Sequence, residues 1–553
     1  MMHATRSVAC ALLSQPATPI SSISTVAKRS MPCFESIWKS RLRINNSKTT
    51  DAGVSQTALF SSSSSSSGGG SGDGGDGDNL LSSNRGRNAV SLLPVYLTDA
   101  RAVTKYHPTE APDGSLQLSV AENQMLEDLL VPAVRKFSSA TNSKNGLEGL
   151  FHSDQIYYQP THGREGLRTS MAQYLHRILK LPEGKGLDLD GMVLGAGCNA
   201  VLENICFCLT EPGDAVLLPT PYYAAFEFDL VARAALQIVP VNTMKFQSGE
   251  KLSDGTLSQT MYHPNRASLD EAYAKAVESG STPKILLLSH PNNPLGVCYP
   301  PSVVKECIEW AREKQVHLIS DEIYAGSVYK QVNEETGEDT FESALTLASV
   351  GSSSEIGLGL GPYIHFVYAL SKDFALSGLR VGVAYSENEE IRLPLQKLND
   401  LCQISSQTQL TVEEMLSSTS DDGQLWSTDT FLPENNRRIS SRSTQLQAVL
   451  DECGIPFLRG DSGLFLWMDF SEFLPALADG ESKGLAESQE SMDSRERRLY
   501  LELMKEFGLL FTPGRSMRNE LPGFFRCVFT AASDEEFVLG LERVKTFVAR
   551  KRA

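Results

Sequence analysis

The chain has 553 residues, 41% of them hydrophobic, and a formal net charge of −17. That balance disfavours a nucleic-acid or other polyanion partner and suits a soluble, acidic enzyme. No apolar run approaches the roughly 18 residues a membrane span needs. The ten cysteines are scattered, with no CxxC pair or Cys/His cluster of metal-ligand spacing, and read as buried free thiols of a reducing compartment.

Residues 1–95 carry no folding pattern. Seven serines (61–67), three glycines (68–70) and a Gly/Asp-rich run to Asp78 cannot bury enough apolar surface to offset ordering entropy, which predicts disorder. Ahead of them, Arg6, Lys28, Arg29, Lys39, Arg41, Arg43 and Lys48 face one acid, Glu35, in the first fifty residues. Basic, Ser-rich and acid-poor is transit-peptide composition. It predicts an organellar address, mitochondrion ahead of plastid, with the cytoplasm as the alternative.

From about residue 96 short apolar runs alternate with helical periodicity. Strands are predicted at 192–194, 215–218, 237–241, 284–289, 317–320, 365–370 and 380–385, with helices between them at 200–209, 269–278 and 302–314. Continuous apolar strands separated by helices indicate an α/β fold around a mainly parallel sheet flanked by helices. From about 430 onward, helices at 434–450, 495–507 and 534–551 frame strands at 463–469 and 525–530, the pattern of a smaller α+β domain. Polar stretches near 243–264, 330–360 and 477–494 read as surface insertions.

Several strand ends carry chemistry-bearing residues. Ile319-Ser320-Asp321-Glu322-Ile323-Tyr324 delivers an acid at the carboxyl end of a buried strand, where open α/β sheets bind ligands. A lysine follows another strand in Ser371-Lys372-Asp373-Phe374, where partial burial lowers its pKa and leaves a nucleophilic amine. Ser377-Gly378-Leu379-Arg380-Val381-Gly382 adds an arginine able to grip a phosphate through two donors. Ser289-His290-Pro291-Asn292-Asn293-Pro294-Leu295-Gly296 is turn chemistry that presents the Asn293 amide. Gly195-Ala196-Gly197-Cys198-Asn199-Ala200 passes from strand to helix, a natural anion cradle. After the next strand, Pro219-Thr220-Pro221-Tyr222-Tyr223 offers an aromatic face, from Tyr223 or its neighbour Tyr222. Arg526, inside the aromatic run Gly523-Phe524-Phe525-Arg526-Cys527, needs a buried partner, and a substrate carboxylate suits it.

Together these supply what pyridoxal 5′-phosphate catalysis needs. Lys372 serves as the Schiff-base amine, Asp321 as the acid facing the pyridine nitrogen, and Tyr324 and Asn293 as donors to the ring oxygen. Cys198, Asn199 and Arg380 hold the phosphate, Tyr223 stacks on the ring, and Asn293 and Arg526 receive the amino acid's carboxylate.

In this order, the motifs resemble the fold-type-I pyridoxal-phosphate enzymes of the class I/II aminotransferase group. They are most similar to the 1-aminocyclopropane-1-carboxylate (ACC) synthase and ACC-synthase-like branch. Val120-Ala121-Glu122-Asn123-Gln124, Gly463-Leu464-Phe465-Leu466-Trp467 and Thr512-Pro513-Gly514 complete the likeness. The resemblance implies a homodimer with active sites at the subunit boundary and a small domain that closes over substrate. It divides the chain into an N-terminal arm with part of the small domain (96–165), a large cofactor-binding domain (166–405) and a C-terminal small domain (406–553). It also matches Glu122 to a glutamate that, in ACC synthases, lies near the substrate's sulfonium side chain. Two positions depart from the pattern. Thr161, in Pro160-Thr161-His162-Gly163, stands where ACC synthases supply a tyrosine across the dimer interface, unless Tyr157 or Tyr158 substitutes. Ala369 stands where a phosphate-binding serine is usual, a loss worth about 1 kcal/mol of phosphate grip.

Three activities fit. The leading expectation is an aminotransferase-like enzyme that acts on an α-amino acid through a Lys372 aldimine. Next comes an ACC-synthase-type or C–S lyase acting on S-adenosylmethionine or another sulfur amino acid, favoured by Glu122 and opposed by Thr161. The third is a non-catalytic cofactor-binding protein, opposed by the completeness of the Lys372, Asp321, Tyr324 and Arg526 set.

Overall fold

A computed structural model describes residues 92–143, 156–246, 257–332, 339–349, 357–420, 422–477 and 484–553, with positions 89 and 337. The transit-like segment and the Ser/Gly-rich run lie outside the described residues.

Seven strands form the central sheet: β1 Met192–Gly195, β2 Ala215–Pro219, β3 Gln237–Val241, β4 Pro283–Ser289, β5 His317–Asp321, β6 Ile364–Ala369 and β7 Gly382–Ser386. Their spatial order is β1-β7-β6-β5-β4-β2-β3, and only β7 runs against its neighbours. Apart from the edge strand β3, which is only partly buried, the strands read as largely apolar runs because both faces are covered. Val193, Val216, Leu218, Ile285, Leu287, Ile319 and Val367 pack into one core, and their alternates Leu194, Leu217, Leu286, Leu288, Leu318, Phe366 and Tyr368 into the other.

Helices cover the faces, among them α1 Cys198–Leu209, α2 Arg266–Glu278 and α3 Pro301–Lys314. Two of them begin with recognisable local chemistry. Asn265 and Ser268 form a reciprocal cap on α2, and Pro301 occupies the first turn of α3, where a missing N–H costs nothing. Among the described residues no helix is long and apolar enough to cross a membrane.

The C-terminal region builds a second sheet. Strands β8 Phe465–Asp469, β9 Thr512–Pro513 and β10 Phe524–Val528 pair antiparallel in the order β9-β10-β8. The early strand Leu116–Gln117 pairs with Leu509–Leu510, so residues from near the start of the described chain pack with its end.

Three local expectations need correction. The lysine strand stops at Ala369, and Leu370 to Asp373 form a helical turn, so Lys372 rides on that turn rather than directly on the strand. Arg380 does not open a strand: it takes φ +54°, a left-handed conformation, and β7 begins two residues later. The 330–360 and 243–264 stretches are not wholly surface insertions, because Phe341, Ser343, Ala344, Leu345, Ala348, Leu358 and Leu360 in the one, and Thr243, Met244, Leu257, Met261 and Tyr262 in the other, are buried. Glu322 accounts for part of this burial: its buried carboxylate accepts the Ala344 amide at 2.8 Å and draws that segment inward.

Candidate active site

Register carries the strand-end motifs to one edge of the sheet. Gly195 pairs with Gly382, Gly382 with Ala369, and Asp321 with Ser289. The residues just beyond these ends enclose a cavity of about 300 Å³. Cys198, Asn199, Tyr223, Asn293, Asp321, Tyr324, Lys372, Arg380 and Arg526 all line it. Glu122 is not in the lining, but its carboxylate accepts a 3.0 Å hydrogen bond from Ser377, which is.

The Lys372 amine donates to the Ala121 carbonyl oxygen at 2.6 Å. Burial first, and then the nearby Arg526 guanidinium, lower its pKa from 10.5 to about 8, against an opposing pull from Glu122. Asp321, at the end of β5, is raised to about 6 by burial, while the Ile323 amide, the Cys198 thiol and Lys372 pull it back down. At neutral pH such a carboxyl is largely ionised. Tyr324 is fully buried, its ring edge-on to Phe465 at 5.3 Å.

Arg526 sits on the middle strand of the small sheet and is buried. It donates to Asn293 Oδ1 at 2.7 Å, to the Ser119 carbonyl at 2.6 Å and to Thr512 Oγ1 at 3.2 Å. Among the described residues its Nε has no hydrogen-bond partner and the side chain makes no ion pair. A buried guanidinium with only neutral partners and one idle donor is a seat for an anion.

At the other end, Gly197 takes φ +91°, and a Cβ there would stand 2.2 Å from Arg380 Nη2. A Cβ on Gly382 would stand 2.4 Å from the Gly197 carbonyl carbon. Both glycines are therefore required for the loop, the β7 turn and the arginine to converge. The side chains beginning α1 do not point to an anion, however. Asn199 Nδ2 donates to Asp229 at 2.5 Å, and the Cys198 thiol lies 3.8 Å from Asp321. What this turn offers a phosphate is its backbone N–H groups.

Of the two adjacent tyrosines, Tyr223 lines the cavity, while the Tyr222 hydroxyl turns to Glu227 at 3.0 Å. Thr161 lies outside the lining, its hydroxyl donating to the Gln396 carbonyl at 3.0 Å. Tyr157 and Tyr158 lie outside it too and are exposed. Sequence reasoning missed Tyr96 and Ser119, which also line the cavity. Nothing local marks them, since they reach it from the N-terminal side of the chain. Ser371, beside the lysine, could have been read from its motif.

Donor chemistry and shape fit pyridoxal phosphate: an amine and a carboxyl in one cavity, a glycine cradle under an arginine, and a free carboxylate seat opposite.

Comparisons with known proteins agree. The family model for aminotransferase class I and II matches residues 116–543. The chain is 34% identical over 447 residues to 1-aminocyclopropane-1-carboxylate synthase 5 of Oryza sativa subsp. japonica, covering 80% of this chain and 75% of that one. It is 31% identical over 453 residues to 1-aminocyclopropane-1-carboxylate synthase-like protein 1 of Arabidopsis thaliana, covering 81% of each. Among solved structures it is similar to an aspartate aminotransferase mutant of Thermus thermophilus (TM-score 0.58, 19% identity, 84% of this chain and 95% of that one). An aromatic aminotransferase of Pyrococcus horikoshii is similar as well (TM-score 0.60, 16% identity, 84% and 99%). The chain therefore belongs to the class I and II aminotransferase family, as a pyridoxal-phosphate-dependent enzyme related to the ACC synthases.

Proposed function

We propose that the protein is an aminotransferase-type enzyme that binds an α-amino acid by its carboxylate and moves the α-proton with Lys372. The observation that carries this reading is the convergence on one cavity of Lys372, Asp321 and Arg526, which has no ion pair among the described residues. Bound pyridoxal phosphate supplies an electron sink for the substrate's α-carbon.

The chain's own groups do the rest. With the cofactor bound, Asp321 would hold a proton on the ring nitrogen, Tyr324 and Asn293 would donate to the ring oxygen, and Tyr223 would pack against the ring. Arg380 and the first amides of α1 would hold the phosphate. Arg526, braced by Asn293, takes the α-carboxylate bidentately. Lys372, with its pKa near 8, keeps a useful neutral fraction at physiological pH and can take a proton at the α-carbon and return it. A homodimer belongs to this reading, with the exposed Ile156, Tyr157 and Tyr158 as apolar surface for it. The basic N-terminus adds an organellar destination, to be tested by fusing residues 1–95 to a fluorescent reporter.

A lyase acting on S-adenosylmethionine is the second reading, favoured by one observation. Glu122 lies close enough to Lys372 to raise its pKa and bonds a cavity-lining serine, so it could face a cationic side chain. Thr161, without a ring, counts against it.

Single-turnover reactions with a panel of amino acids, without any oxo-acid acceptor, separate the readings. Stoichiometric 2-oxo acid that keeps the substrate's side chain, with the amino nitrogen retained on the cofactor and no ammonia released, supports the proposal. Methylthioadenosine released from S-adenosylmethionine without oxo acid overturns it for the lyase. Cofactor binding with no turnover on any amino acid overturns both.

A further inference from the structure

We propose that Asp373 and Asn435 are positioning residues that hold Lys372 in register with Tyr324 and Arg526. The proposal rests on Lys372 being the cofactor-bearing amine.

Asp373 follows that lysine and is wholly buried. Its Oδ2 accepts the Gly326 amide at 2.7 Å and the Tyr368 hydroxyl at 2.9 Å, and its Oδ1 accepts the Ser327 hydroxyl at 2.6 Å. Tyr368 is backed in turn by the Tyr174 hydroxyl at 2.9 Å. Gly326 and Ser327 belong to the turn that begins at Tyr324. One carboxyl thus clamps the lysine's turn to the tyrosine's turn, on the side away from the cavity.

The main chain completes a second link. The Asp373 carbonyl accepts Asn435 Nδ2 at 3.0 Å, and Asn435 Oδ1 accepts Asn123 Nδ2 at 2.9 Å. Two residues before Asn123, the Ala121 carbonyl receives the Lys372 amine, and two before that, the Ser119 carbonyl receives Arg526. The bonds therefore close a circuit from Lys372 through Asp373, Asn435 and Asn123 to Ala121 and back. Asn123, Asn435 and Asp373 are all buried, so no water competes for these bonds. Asn435 must donate on one side and accept on the other, which a carboxamide does and a carboxylate cannot. The circuit fixes where the amine lies relative to the segment that also braces the carboxylate-binding arginine.

The test uses the cofactor-loaded enzyme and its apoprotein, in native form and as Asn435→Asp and Asn435→Ala. Three quantities are read: the pH midpoint of the visible absorbance of lysine-bound cofactor, the rate of pyridoxal phosphate capture by apoprotein, and the melting temperature. Asn265→Ala, which removes a cap from α2, is the control for general destabilisation. Misplacing a reacting amine costs rate steeply, so capture is expected to slow about ten-fold or more. The midpoint is expected to move by about half a pH unit or more, while the control moves only the melting temperature. A midpoint within about 0.3 pH unit of native and a capture rate within about two-fold of it would reduce Asn435 to a structural role. Tyr368→Phe, which removes one hydroxyl from around Asp373, is read on the same quantities whether or not the Asn435 variants fold: a displaced midpoint upholds the Asp373 clamp and an unmoved one overturns it. A native protein with no Lys372-dependent visible band would instead sink the lysine assignment beneath the proposal.

Discussion

Replacing Lys372 with methionine should stabilise the apoprotein while abolishing the activity of the cofactor-loaded enzyme. The cavity wall holds this ammonium partly buried beside Arg526, with no acid in direct contact among the described residues, and its pKa falls from 10.5 to about 8. At about 1.4 kcal/mol per pH unit that fall corresponds to about 3 kcal/mol, and water in the open cavity reduces it to about 2 kcal/mol. Because the folded-state pKa lies below the unfolded one, the cost is fully present below pH 8. It shrinks as pH rises from 8 to 10.5, where the folded protein has already released the proton that the unfolded chain still holds. Chemical denaturation of native and Lys372→Met apoprotein at pH 7 and pH 10.5 measures this directly. The variant should be the more stable by about 2 kcal/mol at pH 7 and gain little at pH 10.5. Equal stabilities at pH 7, or a gain independent of pH, would refute the claim that the site holds its amine at a cost. Adding pyridoxal phosphate should then reverse the order, since the native protein alone has an amine to bond it.

Gly197→Ala places a Cβ against Arg380 at a left-handed φ, so cofactor affinity should fall about ten-fold or more, as read by absorbance titration of apoprotein; unchanged affinity would remove the loop from the phosphate site. Arg526→Lys keeps the charge but loses the fork that reaches Asn293 and Ser119 together. It should raise KM for the amino acid about ten-fold or more with a smaller change in kcat, and an unaltered KM would move the carboxylate seat elsewhere. Thr161→Tyr restores the ring that the ACC synthase likeness expects. The ratio of methylthioadenosine to 2-oxo acid formed from S-adenosylmethionine should rise, and a constant ratio would take Thr161 out of the account.

What could be read in advance follows from where each residue's partners lie along the chain. The central strands were legible because a sheet covered on both faces writes unbroken apolar runs: the expected 284–289 and 317–320 fall within Pro283–Ser289 and His317–Asp321. The reversal of β7 was not legible, because strand direction leaves no mark on composition. Lys372, Asp321, Asn293 and Arg380 were legible for the same reason as the strands, since each stands at or just beyond the end of an apolar run or within a glycine turn. Arg526 announced itself as a cation among aromatics. Asp373 did not, because an acid beside a lysine looks like ordinary solvation until Gly326, Ser327 and Tyr368 are seen to surround it. Asn435 gave less still: it sits in the helix Leu432–Glu452, and its two bonding partners lie 62 and 312 residues away in sequence. Lys372, Asp321 and Asn293 stand at or near strand ends, where local sequence must accommodate them, whereas Arg526 lies in mid-strand. The residues proposed to hold them, Asp373 and Asn435, find their partners far along the chain, so that role can be read only from contacts the fold brings together.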